Sequence, residues 1–410
     1  MSYDSHMKNP VSTKRPAVWL ITGGAMQRPA AEKIRERGFA LIISDGSAEC
    51  ALRSMADEFL HVDIFDIKGS IAAADELKRR YDLKAVFTAA SDCHETVAHV
   101  ARHLGLHGVD PAISHICRYK QESRELFTKT GIPQPKFATA RTFAEAKKII
   151  KKFGFPVCFK ATNNAGSRGF TAMRTQGEVT QEAFQSALTS GTSGLVIVEE
   201  LLEALKDEIA EQSLETLWYD GNMYWLNWVD RPFRTDMKLF PEVDGSRYRN
   251  LRDGIEIGHL NPAVHATKTL DAVRNMVHQA GIALGMDKQK GGHILKCDIM
   301  LTQKGPYILE PTLRLSGGWD SAGTSVARGG NFVGGALEMA LGTKLTSELF
   351  YKYFTFRYPD LHAAVLTDIP DGAANCIGRS FALATGLTRI EALKNAAVNL
   401  KARKYMGQPQ

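Results

Sequence analysis

No apolar run in this chain approaches the roughly 18 residues that a membrane-spanning helix needs, so no membrane partner is expected. No C-x-x-C pair occurs either. The six cysteines stand at positions 50, 93, 117, 158, 297 and 376, several of them inside apolar runs, which reads as reduced, buried thiols in a cytoplasmic protein. A dense Lys/Arg block is missing too. The net charge of +6 is spread along the chain, as on a solvated surface, so nucleic acid is not an expected partner, and the excess fits an anionic small-molecule ligand. There is no internal repeat and no low-complexity segment. The polar start, MSYDSHMKNPVSTKRP, has no hydrophobic stretch of a secretory signal. Ser5-His6-Met7 looks like a cloning remnant, and the first dozen or so residues are left out of fold reasoning. Two phosphate-binding signatures are also lacking. No G-x-x-x-x-G-K-[ST] loop appears, and Thr22-Gly23-Gly24-Ala25-Met26-Gln27, with Asp45 farther on, is not G-x-G-x-x-G. That disfavours a nicotinamide cofactor and an oxidoreductase.

What is present is an alternation. Apolar strand-like runs (AVWLITGG, FALIISD, EFLHVD, KAVFTAA) are separated by amphipathic helical patterns, the signature of βαβ units in a doubly wound parallel sheet over residues 14–112. A lysine-bearing helix follows (CRYKQESRELFTKTG), then a proline-paced extended segment, IPQPKF. Next come a helix, the short strand FPVCFKA and the polar glycine-rich stretch TNNAGSRGF. Two strands flank Asp220-Gly221, a hairpin signal, and VHATKTLDAVRNMVHQAGIALG is a long amphipathic helix. The tail reads as strand, turn and helix. The expected fold class is α/β, opening with this N-terminal doubly wound domain.

The chemistry concentrates in HILKCDIMLTQKGPYILEPTLRLSGG. Side chains alternate across a strand, so Lys296 and Asp298 share one face, as do Glu310 and Thr312. If the two runs pair across TQKGP, Asp298 and Glu310 lie side by side. Two such carboxylates repel unless a cation sits between them, and hard oxygen ligands suit Mg²⁺. Arg314 then supplies a planar cation for phosphate or carboxylate, and Gly317-Gly318 let the backbone come close. The competing reading is an ordinary surface hairpin. Lys160, near the end of a buried strand and before the glycine-rich loop, suits phosphates; a plain surface loop is the alternative. The run GLVIVEELLEA offers an adenine-sized edge, although a buried strand end explains it as well. Asp92, Cys93, His94 and Glu95 tempt toward a metal or a nucleophile, but a helix start capped by Ser91 or Asp92 is preferred.

In their order along the chain these pieces resemble the ATP-grasp superfamily, in its carboxylate–amine ligase branch, whose relatives include biotin carboxylase and the large chain of carbamoyl phosphate synthetase. The resemblance spans about residues 15–405, and its specificity lies in the joint order. It implies a central ATP-grasp α+β domain pair over 113–345 with a mobile lid near 156–200, then a small C-terminal α/β subdomain over 346–410, and it implies ATP and Mg²⁺ as cofactors. Lys120 and Lys160 would reach the ATP phosphates, and the loop Asn163 to Gly169, with Gly166 and Ser167, would close over them. Glu199 would meet the adenine amino group, with the backbones of Glu200 and Leu202 completing the hinge. Glu208 or Glu211 would lie near the ribose. Asp298 and Glu310 would hold the metal, and Arg314 would steady the transferred phosphoryl group. The family's E-x-N-x-R stands here as Glu310-Pro311-Thr312-Leu313-Arg314; Thr312 keeps one oxygen ligand on a shorter side chain, which puts the second metal site in question.

The resulting expectation is a ligase that forms an acyl phosphate from a small-molecule carboxylate and joins it to an amine, releasing ADP and phosphate. Arg231, Arg234, Arg247 and Arg249, in the segment 229–254, would shape the substrate pocket with Arg314, Gly317 and Gly318; a surface excursion is the competing reading of that segment. A homodimer stays open. The alternatives are a carboxylase-type enzyme using bicarbonate and a nucleotide-binding regulatory protein without catalysis.

Overall fold

The computed structural model describes residues 14–369 and 380–406; Cys376 and the first dozen residues fall outside them. The N-terminal unit is a parallel sheet of β1 (Arg15–Ile21), β2 (Ala40–Asp45), β3 (Glu58–His61) and β4 (Tyr81–Phe87), in the order β3-β2-β1-β4. Its central strands are buried on both faces, which is why β1 reads as one apolar run after two exposed residues. Order reverses beside β1, so the loops after β1 and β4 open at the carboxyl edge, where sheets of this kind bind ligands.

A second, antiparallel sheet comprises β5 (Phe137–Ala140), β6 (Val157–Ala161), β7 (Thr171–Met173) and β8 (Val196–Glu200), ordered β5-β8-β6-β7. Helices Phe143–Phe153 and Gln181–Ser190 pack on it. The first starts at Thr142, whose hydroxyl accepts from the Glu145 amide, while Glu145 reaches back to the Arg141 amide at 2.8 Å. This reciprocal capping fixes where the helix begins.

The third sheet is the largest. It contains β9 (Glu211–Tyr219), β10 (Asn222–Asp230), β11 (Gly258–Asn261), β12 (Gly292–Thr302), β13 (Gly305–Thr312), β14 (His362–Asp368) and β15 (Ser380–Gly386), in the order β13-β12-β9-β10-β11-β14-β15. β9 and β10 are joined at Asp220-Gly221, both with positive φ (46° and 83°), the tight turn that Asp-Gly predicts. Helix Thr267–Leu284 covers one face, pressing Gly281 against Trp218. The C-terminal α/β unit is continuous with this sheet through β14, and helix Arg389–Lys401 packs on β14 and β15.

The parallel sheet docks on the large one. Val18, Leu20, Ile43 and Phe87 share a core with Leu217, Ile294 and Phe332. That contact brings the loop after β4 to the end of β13. No helix among the described residues is long and apolar enough to cross a membrane.

Candidate functional site

The three sheets meet at a cleft of about 320 Å³. On its floor, Asp298 of β12 stands directly opposite Glu310 of β13, and Lys296 opposite Thr312. A break in register just after Asp298 re-aims the strand there. Each carboxylate has its own cation. Lys296 Nζ lies 2.6 Å from Asp298 Oδ2, and the Arg231 guanidinium lies 2.9 Å from Asp298 Oδ1. Lys120 Nζ is 2.7 Å from Glu310 Oε1 and donates to the Asn164 carbonyl at 2.7 Å. Burial pushes the Asp298 carboxyl up, but Arg231 and Lys296 outweigh it and hold the group below its usual range. Glu211 reaches the same guanidinium only at 3.4 Å. Burial dominates there, Asp298 and Glu256 add to it against Arg231, and Glu211 rises to about 7. Glu256 accepts from Arg231 and from the buried His259.

Lys160 projects from β6 into the cleft and pairs with Glu199 Oε2 at 2.6 Å. Glu199 is fully buried on β8 and also takes Arg124 Nε at 2.7 Å. Arg124 in turn donates to the carbonyls of Ile308 (3.1 Å) and Leu309 (2.8 Å) of β13. Burial opposes the Glu199 charge, but Arg124 and Lys160 overcome it and hold the group near about 2. The Glu199 side chain, expected at an adenine amino group, is therefore committed to an internal ion-pair triad that aims Lys160. Sequence reading missed Arg124; its spacing four residues after Lys120 on one helix face was the available signal.

The glycine-rich loop roofs the cleft through Asn164, Ala165, Gly166, Ser167 and Arg168. Gly166, Ser167 and Gly169 all take positive φ (62°, 61° and 72°), and a Cβ on Gly169 would lie 2.7 Å from that of Ser190. Asn163 faces away from the cleft, with its amide nitrogen 2.6 Å from Thr192 Oγ1. Ser167 also donates to the Gly254 carbonyl, which ties the loop to the 229–254 segment.

Arg314 follows β13 and lines the cleft with Gly317 and Gly318. Gly318 is required by close approach: a Cβ there would stand 2.9 Å from the His259 ring, and its φ is +65°. Arg314 is held by Asp92 Oδ1, at 2.7 Å from one terminal nitrogen and 3.2 Å from Nε. This corrects the capping assignment. The helix His94–Leu104 has Cys93 at its N-cap and no side-chain cap bond, and Asp92 is spent on Arg314. Cys93 is buried, with its thiol pushed up to about 11 by that burial, and His94 bonds Ser114 Oγ at 2.8 Å. Burial brings the His94 ring down to about 3, so it stays neutral.

Several expected residues stand outside the cleft lining. Glu200 accepts the Lys136 amide at 2.9 Å, beside Leu202 at the strand's exit. Glu208 pairs with His265 at 2.6 Å, Arg234 with Asp253 at 2.8 Å, and Arg247 with Asp368 at 3.7 Å. Arg249 lines a shallow outer hollow with Arg234. The Thr312 hydroxyl is buried and has no hydrogen-bond partner among the described residues.

Residues 119–317, which carry nearly all of this constellation, match the family described as phosphoribosylglycinamide synthetase, ATP-grasp (A) domain. That stretch is an ATP-grasp domain. It is 30% identical over 122 residues to the carbamoyl phosphate synthase large chain of Streptomyces griseus, covering 30% of this chain and 10% of that one. It is 33% identical over 87 residues to the phosphoribosylamine–glycine ligase of Streptococcus pneumoniae, covering 20% and 21%. The matched stretches thus span about a fifth or less of those relatives. The L-amino acid ligase of Bacillus licheniformis superposes with a TM-score of 0.67 at 19% identity, over 88% of this chain and 82% of that one, and so shares its fold.

Proposed function

We propose that this ATP-grasp protein is an ADP-forming carboxylate–amine ligase. The observation that carries the reading is the cross-strand pair Asp298–Glu310 on the floor of a cleft that Lys120, Lys160 and Arg314 also line. A substrate carboxylate attacks the γ-phosphate, the bond to the ADP oxygen breaks, and an acyl phosphate and ADP result. The amine then adds to the acyl carbon, loses a proton, and phosphate departs.

This reaction asks little covalent chemistry of the protein and much positioning and charge neutralisation. Lys120 and Lys160 take the phosphates, which requires Lys120 to exchange Glu310 for a phosphate oxygen. The 164–168 roof closes over them and excludes water, against which an acyl phosphate is unstable. The backbone at Glu200 and Leu202 flanks the adenine, and Glu211 lies toward the ribose. Arg314 steadies the moving phosphoryl group, while Arg231, Gly317 and Gly318 border the space left for the substrates.

The donor set fits Mg²⁺. Among the described residues no three His, Cys, Asp or Glu side chains are grouped so as to hold a metal ion by themselves, but Mg²⁺ is commonly held by only one or two carboxylates together with phosphate oxygens and water. Asp298 and Glu310 would hold the ion, which when bound supplies further neutralisation of phosphate charge. Thr312, opposite Lys296 on the same hairpin, is buried and stands outside the cleft lining.

The test is a matrix of carboxylates and amines incubated with Mg·ATP and the purified protein. ADP formation that depends on both partners is expected. AMP and pyrophosphate as products would overturn the reading.

A further inference from the structure

We infer that Asp92, contributed by the N-terminal parallel-sheet unit, is a positioning residue that aims the Arg314 guanidinium at the reacting centre. The inference rests on the ligase reading, in which Arg314 meets the transferred phosphoryl group.

An arginine presents five N–H donors in a rigid fork on a long, flexible stem. Asp92 Oδ1 takes two of them, from Nε at 3.2 Å and from a terminal nitrogen at 2.7 Å. The other terminal nitrogen donates to the Leu315 carbonyl at 2.9 Å. Three donors are thereby fixed inside the protein, and two remain for a ligand in the cleft that Arg314 lines. The loop that carries Asp92 is itself anchored. Ala89 accepts the Leu315 amide at 3.0 Å and donates its own amide to Gln27 Oε1 at 2.9 Å. The Ala90 carbonyl comes to 3.6 Å from the position of a Cβ on Gly317. Residues 89–92 therefore grip 314–317 through side chain and backbone together.

The contact also sorts charges. Asp298 and Glu310 both act electrostatically on Arg314. Without Asp92, the guanidinium has these two carboxylates as its alternative partners, and both are wanted for the metal. Asp92 supplies an anion that has no part in holding it. The same loop brings the parallel sheet into the chemistry, through the part of the Ser91-Asp92-Cys93-His94 stretch that the helix start leaves unused.

A plain docking salt bridge between sheets would have the same geometry, so the test separates the two. ADP release from Mg·ATP is measured alone and with each pair of the carboxylate–amine matrix, Mg·ADP affinity by calorimetry, and Tm by calorimetric scan. Asp92→Asn is expected to lower the rate at least tenfold, with Mg·ADP affinity within twofold and Tm nearly unchanged. Asp92→Glu recovers part of the rate, and Asp92→Asn adds nothing in an Arg314→Ala background. Full activity in Asp92→Asn beside a tenfold loss in Arg314→Ala overturns the inference and leaves the ligase reading standing. A parallel fall of rate, affinity and Tm overturns it in favour of docking. Wild-type activity in Arg314→Ala overturns the inference by removing Arg314 from the reacting centre, and no ADP release from the unaltered protein with any pair overturns the ligase reading itself.

Discussion

Glu310 shows how a single side chain can be legible by type and illegible by partner. Its place opposite Asp298 follows from counting back across the TQKGP turn, and the structure has that register. That its carboxylate is bonded by Lys120, 190 residues away, cannot be counted from any local pattern. The same holds for Glu199, whose apolar strand was readable while its two cationic partners, Arg124 and Lys160, were not. Glu310→Gln is expected to cut ADP formation by about a hundredfold or more, the usual scale for losing one preorganised electrostatic contact to a reacting phosphate or oxyanion. Because Glu310 is partly exposed and the amide keeps its shape, Tm should stay within a few degrees; a variant that turns over normally would remove Glu310 from the metal site.

Two elements carry consequences that composition alone hints at. The Asn163–Gly169 loop was readable as a connection from its glycines and asparagines, and its positive-φ residues explain why those types are there. Proline at 166 demands φ near −65°, against the observed +62°, so Gly166→Pro distorts the roof. The expected result is a turnover loss of about tenfold with only a small change in Tm, since the site is a surface connection. In the unaltered protein, Mg·ATP should slow proteolytic cutting at this loop; equal cutting with and without nucleotide would count against a closing roof. Helix Thr267–Leu284 makes the opposite case. Its amphipathic pattern was plain, yet the need for a glycine at 281 was not, because it comes from Trp218 on β9, 2.0 Å from where a Cβ would sit. Gly281→Val should destabilise the fold by about 1–3 kcal/mol or more through overpacking, readable as a lower urea midpoint.

For the molecule as a whole, buried carboxylates set the pH dependence of stability. Glu211 rises from 4.5 to about 7, so the folded state keeps a proton that the unfolded chain releases. That contribution is complete below about 4.5 and is lost as pH climbs to about 7. Glu215, raised by burial and by Asp320, acts in the same direction. Glu199 is lowered from 4.5 to about 2, so its contribution is present above 4.5 and fades toward 2. Without nucleotide, Tm should therefore peak at mildly acidic pH and fall between about pH 5 and 8; Glu211→Gln should flatten that fall, and a Tm that rises over the same interval would refute the assignment. The parallel sheet and the hairpin on the cleft floor were legible because periodicity and short turns are local. The assembly of the large sheet was not, since β11 and β14 pair across about a hundred residues of chain. That pairing has a practical outcome for anyone wishing to trim the protein. β11 meets β10 at one residue pair but β14 at four, and β11 carries His259 of the cleft. A fragment cut to 119–317, the stretch that bears the family likeness, would leave β11 with a bare, unpartnered edge, an invitation to associate with other chains. The smallest piece able to stand alone thus includes strands that lie beyond the recognised domain, and the shorter fragment is expected to be recovered as aggregate.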